Sequence, residues 1–326
     1  EPPPPASFEA PPESRVQSRE DAPVDSMARS RFVPTAHNFR GIAIVAVVAV
    51  HVLDRLVFSP ARAFEGLVLR AFVHNGTVLF VFVAGFLFQH LSPRFSYRPY
   101  LWRKAKTIFL PYLCYSIPTL LLEYLTRSVI FASPSPSAGT PYLVQSIQWL
   151  PLRALISLVT GEHLIAPFWY MSFIAAIYLA TPLWIWIDRH PRWYWCLLPL
   201  GLLATFIHRP ELGAATWRAL PYYLPVYLGG MAYSHFRDTV FRWVNRRSRA
   251  LWLTFAGLML VETLCLHQSG AIFSRRPFST EHGIIDLNLI SRMLLCPLLL
   301  VELERRDVPV NPVTDWLARF SYGIFL

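Results

Sequence analysis

The chain has 326 residues, of which 54% are hydrophobic, 15% aromatic and 15% charged, and its mean hydropathy is +0.38. Soluble domains carry about 25% charge, so a large soluble enzyme is excluded, and the apolar content excludes disorder along the whole length. The formal net charge is +10, from 30 Lys+Arg against 20 Asp+Glu; these basic residues lie between long apolar runs, which is the pattern of cytoplasmic loops in a membrane protein rather than of a nucleic-acid surface.

Residues 1–30 hold seven prolines and six acidic residues and lack an apolar h-region. They read as a disordered tail and not as a signal peptide. Residues 31–326 read as one membrane domain. Spans need ~20 residues each, and candidates recur at 41–58, 67–91, 107–126, 167–187, 193–208, 219–235, 250–266, 284–301 and 313–326. Segment 143–160 contains Gln145, Gln148, Pro151 and Arg153, which are costly against lipid. The expected fold is all-α: a polytopic transmembrane helix bundle of about ten spans, nine visible here with the last truncated and a tenth expected beyond it. From the start at Glu1 and the end inside the apolar run Tyr322–Leu326, a trimmed fragment lacking a C-terminal part of the membrane domain is expected.

Loop charge arbitrates the topology. With a cytoplasmic N-terminus and 143–160 not spanning, 17 basic residues fall inside and seven outside. A spanning 143–160 puts the Arg-rich stretch 237–249 outside, against the positive-inside rule. This segment is therefore expected to be re-entrant or interfacial, and the protein is expected in the cell (inner or plasma) membrane. Tryptophans 102, 149, 184, 186, 193, 195 and 217 sit near proposed span ends, as indole rings prefer. Cys114, Cys196, Cys265 and Cys296 each lie in apolar stretches, with no CxxC pair and no ligand-spaced His. They read as buried small apolar residues, and no metal site is expected.

In the first span, ten residues separate Arg40 from His51, nine aliphatic and one Gly. On a helix His51 lies ~16 Å beyond Arg40 and about 20° from the same azimuth, near half the ~30 Å hydrocarbon depth. An ionisable residue there is a functional-site candidate, and His is the natural general base near neutral pH. The competing reading is a neutral His bonded to a backbone carbonyl. Asp54 stands one turn further on and either orients the imidazole or sits as a charge at headgroup level.

Other features are weaker alone. Arg103 and Lys106 are i, i+3 partners at the start of the third span; they suit anionic phosphates or form a plain positive flank. Asn75, Thr77 and Gly85 mark the second span, where Gly85 permits close helix approach. Trp169 and Tyr170, followed by Tyr178 and Pro182, are interface anchors or a sugar-stacking surface. There is no Walker loop and no GxGxxG.

Taken in order, these stretches resemble the acyltransferase-3 family of integral-membrane O-acyltransferases. The family pattern pairs an Arg with a His eleven positions later, here Arg40 and His51. It continues with a Phe-rich segment (Phe80–Leu87), a basic cluster (Arg103–Lys106), a Trp-Tyr…Tyr…Pro span (Trp169, Tyr170, Tyr178, Pro182) and a late Ser-Tyr segment (Ser321–Leu326). The opening His37-Asn38-Phe39-Arg40 is similar to the branch that acetylates exopolysaccharide or fucose. There are departures: Lys106 stands where many members have Arg, and Ile174 and Ala175 stand where many have glutamates.

The resemblance implies ten spans and a definite chemistry. Acyl-CoA, with acetyl-CoA the expected donor, enters from the cytoplasm. Arg40, Arg103 and Lys106 lie near its phosphates. His51, with Arg40 and Asp54, carries the chemistry as base or transient acyl carrier. Asn75, Trp169, Tyr170 and Tyr178 are expected to face a glycan or lipid-linked sugar acceptor. No permanently bound cofactor and no nucleic-acid partner are implied. A transporter or flippase of a lipid-linked glycan is the competing class, weakened by the lack of visible repeats; a non-catalytic membrane scaffold is another.

Overall fold

The computed structural model describes residues 24–53, 56, 62–125, 149–160, 169–210, 219–265, 273–274, 278 and 285–325. Thirteen helices are described: α1 (Val24–Leu53), α2 (Ala63–Val73), α3 (Thr77–Leu91), α4 (Tyr97–Lys104), α5 (Leu110–Leu125), α6 (Leu150–Thr160), α7 (Trp169–Leu179), α8 (Thr181–Arg189), α9 (Leu197–Ile207), α10 (Ala219–His235), α11 (Arg237–Leu260), α12 (Leu287–Arg305) and α13 (Pro312–Phe325). Extended structure among the described residues is one two-residue parallel pairing, Arg209–Pro210 with Phe273–Ser274. The fold is an all-α bundle.

Helix α1 starts at Val24, inside the stretch expected to be a tail; Pro23 precedes it and Asp25 lies in its first turn. Both suit a helix N-terminus, because proline tolerates the entry and an acid complements the dipole. Residues 1–23 lie outside the described residues. Each of the nine apolar segments overlaps a helix. By length and hydropathy alone, Pro34–Leu53 and Ala63–Leu91 suffice to cross a membrane, and α7 with α8 makes a third if that bent pair is one span. Helix α6, the described part of segment 143–160, has 11 residues, about 16 Å of rise; residues 143–148 lie outside the described residues.

The surface explains why such a bundle needs lipid. Ile42, Val45, Val48 and Val52 on α1, Ile117 and Leu121 on α5, Leu198 and Leu202 on α9, and Leu253 and Leu260 on α11 are all exposed. A water-soluble monomer rarely exposes so much apolar surface.

Helices α3 and α10 form the closest pair. A Cβ on Gly85 would collide with the Tyr227 carbonyl, and one on Gly230 with the Phe82 carbonyl. Bare backbone therefore meets bare backbone at this crossing, as small residues allow in lipid. The two helices run in the same direction. Asn75, just before α3, meets Tyr222 near the start of α10. At their other ends, Gln89 and His235 both reach Asp188. These contacts define an Asn75 end and an Asp188 end. Phe39 of α1 packs on Phe82 at 6.3 Å between ring centres, bringing α1 against the same crossing.

The break between α7 and α8 is built by Pro182. Proline supplies no amide to the carbonyl four residues back, so the Tyr178 carbonyl instead accepts the Thr181 hydroxyl at 2.5 Å. The Trp184 indole donates to the Ile177 carbonyl at 2.8 Å. The two helices bend by 53°, and the bend sets the Tyr178 ring beside α4.

Candidate active site

Polar side chains inside a membrane bundle are costly unless satisfied, so their positions are informative. At the Asn75 end, the Asn75 amide donates to the Tyr222 hydroxyl at 2.9 Å. Tyr222 in turn donates to Asp286 Oδ2 at 2.8 Å. The Tyr223 hydroxyl donates to Asn75 Oδ1 at 3.3 Å. Asp286 also caps α12 by accepting the Leu289 amide at 2.9 Å. All four residues are buried.

Asn75 reaches this network from a backbone with φ of 60°, a left-handed turn that asparagine tolerates better than most residues. The turn is pinned from below. Buried Arg292 donates to the His74 carbonyl at 3.0 Å and also to the Ala71 carbonyl. Trp169 stacks on Tyr223, with ring centres 5.7 Å apart and planes at 23°. The Arg209 guanidinium lies 6.0 Å over the Trp169 ring.

A second group lies deeper along the bundle. Arg40 interacts electrostatically with Tyr170 and Tyr178, and Tyr170 does so with Tyr223. Lys104 of α4 stands beside Arg40. Its ammonium lies 4.8 Å from the centre of the Tyr178 ring and 5.6 Å from that of Tyr100. Burial first, then the Arg40 and Arg103 charges, hold the Lys104 ammonium below the ordinary lysine pKa. Asn75, Tyr222, Tyr223 and Asp286 are thus joined by hydrogen bonds, and Tyr223, Tyr170, Arg40, Tyr178 and Lys104 are coupled to one another by charge, a polar thread through an apolar bundle.

At the Asp188 end one carboxylate gathers four donors. His235 Nδ1 contacts Asp188 Oδ1 at 2.8 Å, and the Tyr194 hydroxyl donates to the same oxygen at 3.0 Å. Ser92 and Gln89 donate to Oδ2 at 3.2 and 3.4 Å. This acceptor ties the ends of α3, α8 and α10 together.

The residues singled out in the sequence fall into two sets. Arg40, Asn75, Trp169, Tyr170 and Tyr178 lie on or against the thread. His51, Arg103 and Lys106 do not touch it. The His51 side chain is exposed and has no side-chain hydrogen bond among the described residues. Its azimuth is about 20° from that of Arg40 and about 60° from the outward-facing Val48. Arg103 and Lys106 are exposed, and the Lys106 ammonium lies 4.9 Å from the Trp102 ring centre. Asp54 lies outside the described residues, as do the side chains of Ser321 and Tyr322.

Tyr222, Tyr223, Asp286, Arg292 and Lys104 were not singled out from the sequence. Arg292 carried a usable signal, because an Arg inside the apolar segment 284–301 is a functional or structural marker by default. The adjacent Tyr222-Tyr223 and the pairing of Asp286 with both carried none.

A bundle of apolar helices traversed by a buried polar thread defines a membrane protein with an internal site. The family's sequence model, described as an acyltransferase domain, matches residues 36–326. The chain belongs to the acyltransferase-3 family and is a membrane acyltransferase. No curated protein and no solved structure matches it.

Proposed function

We propose that the protein moves an acyl group, in the first instance acetyl, from acyl-CoA to a hydroxyl of a cell-surface or secreted glycan. The observation that supports this reading is the thread itself. It runs from the cations Lys104 and Arg40 to a buried aromatic and carboxylate-bearing cluster of Trp169, Tyr223, Tyr222, Asn75 and Asp286. Cations suit a phosphorylated donor, and an aromatic face beside hydrogen-bonding groups suits a sugar. The loop-charge pattern favours a cytoplasmic N-terminus in the plasma membrane. Lys104 and Asp188 then face the cytoplasm, where acyl-CoA is made.

In this reading the donor phosphates are held at the cytoplasmic end, and the thioester arm runs along α1 toward His51. His51 accepts the proton of the acceptor hydroxyl as its oxygen attacks the thioester carbonyl. The C–O bond forms, the C–S bond breaks, and the departing thiolate of CoA takes up the proton. A two-step route is equally balanced: the imidazole first takes the acyl group and then yields it to the hydroxyl. A thioester is already activated, so the scheme draws on no further co-reactant. Arg40 is suited to stabilise the oxyanion or the phosphates because its guanidinium keeps its charge when partly buried.

The test is transfer of label from acetyl-CoA to surface glycan by the purified chain in lipid. Labelled glycan is expected with the wild type. Absence of both glycan labelling and acetyl-CoA hydrolysis contradicts the reading and favours glycan transport.

A further inference from the structure

We propose that Glu262 is a proton-binding site in the interior of the bundle: its carboxyl holds a proton and pairs, as a neutral acid, with the Asn288 amide. Glu262 lies in the π-turn Val261–Cys265 that follows α11, and Asn288 lies in the first turn of α12. Both side chains are fully buried. The Asn288 amide nitrogen donates to Glu262 Oε1 at 3.0 Å. The remaining oxygens of the two groups, Glu262 Oε2 and Asn288 Oδ1, are buried with no hydrogen-bond partner among the described residues.

That pattern is short of one hydrogen. A carboxylate oxygen and an amide oxygen only accept, so the two cannot satisfy each other. Turning the amide over, which exchanges its nitrogen and oxygen, puts an oxygen 3.0 Å from Glu262 Oε1 and still calls for a hydrogen between them. One proton on the carboxyl supplies it. A carboxylic acid and a primary amide close a pair through two bonds, the amide N–H to one carboxyl oxygen and the acid O–H to the amide oxygen.

The surroundings of Glu262 support the neutral form. Its charged neighbours are Arg292 and Asp286. Arg292 acts on it only through space, because its donors go to the His74 and Ala71 carbonyls, and the ion pairs among the described residues do not include Glu262. An ionised Glu262 would bury charge on an oxygen that no donor reaches, which is costly. Asp286 is the contrast. It accepts both the Tyr222 hydroxyl and the Leu289 amide and has Arg209 nearby, as an ionised carboxylate needs. The proton on Glu262 thus fastens the end of α11 to the first turn of α12, two residues from Asp286. It also keeps a second negative charge away from the network of Tyr222 and Asn75.

Infrared spectroscopy of the full chain in lipid at neutral pH reads the proton directly. Wild type is expected to show a protonated-carboxyl C=O stretch that Glu262→Gln lacks and that Asn288→Leu shifts to higher frequency. The absence of such a band, or the same band undiminished in Glu262→Gln, overturns the proposal; a water bridging the two oxygens of an ionised Glu262 would give that result. A band that Asn288→Leu leaves unshifted overturns the pairing.

Thermal unfolding gives a second readout. Gln has the shape of the neutral acid and re-forms the pair as two amides. Glu262→Gln is therefore expected to keep the wild-type midpoint, and Glu262→Ala to fall below it. A Glu262→Gln protein that melts as low as Glu262→Ala, or that fails to fold, shows that the charge and not the proton is required, and overturns the proposal. Neither readout uses acyl transfer, so the result is separate from the reaction proposed above.

Discussion

The Tyr222 hydroxyl stands between two buried groups, receiving the Asn75 amide at 2.9 Å and donating to Asp286 at 2.8 Å. One hydroxyl thereby couples three elements: the turn before α3, the start of α10 and the cap of α12.

Tyr222→Phe keeps the ring and removes that link. It leaves a buried carboxylate oxygen and a buried amide each short of a partner, which costs about 1–3 kcal/mol. Thermal unfolding in detergent is expected to show a lowered midpoint. An unchanged midpoint contradicts the hydrogen-bonded arrangement.

The α3–α10 crossing makes a second expectation. Gly85→Ala and Gly230→Ala each place a methyl group against the partner helix's carbonyl oxygen. Overpacking of this kind costs about 1–3 kcal/mol. Gly257→Ala, with open space around it, is the control and is expected to be neutral or mildly stabilising. The readout is the yield of monodisperse protein and its thermal midpoint, with both crossing variants falling below the control.

Asp188 supports the end of the bundle opposite Asn75. Asp188→Ala removes the shared acceptor of His235, Tyr194, Ser92 and Gln89. Those groups are part-buried, so water recovers some of the loss, and a cost of about 1–3 kcal/mol is expected. Limited proteolysis of the loops flanking α8 and α10 is expected to speed up in the variant; unchanged proteolysis is the contrary outcome.

Much of this architecture is written in local patterns. Apolar runs give the helices: each of the nine apolar segments overlaps one. Arg40, Asn75, Trp169, Tyr170 and Tyr178 were legible because each sits in a recognisable stretch. Lys104 was not, for a physical reason. The i, i+3 rule selects Arg103 and Lys106, which do share the exposed face. Lys104 is set apart by Tyr178 of another helix, a tertiary contact that local spacing does not encode. The Asp286–Tyr222–Asn75 chain joins residues 64 and 147 positions apart, and no local periodicity encodes such a pairing. The early start of α1 was hidden by the proline and acidic composition around it.

The central claim is that an acyl group passes from a thioester to a sugar hydroxyl by way of His51. The most direct measurement is acetyl transfer to glycan by wild type and His51→Ala, purified side by side with matched thermal midpoints and matched CoA binding. The account predicts labelled glycan with wild type and none above background with the variant. Equal labelling by the two proteins contradicts it.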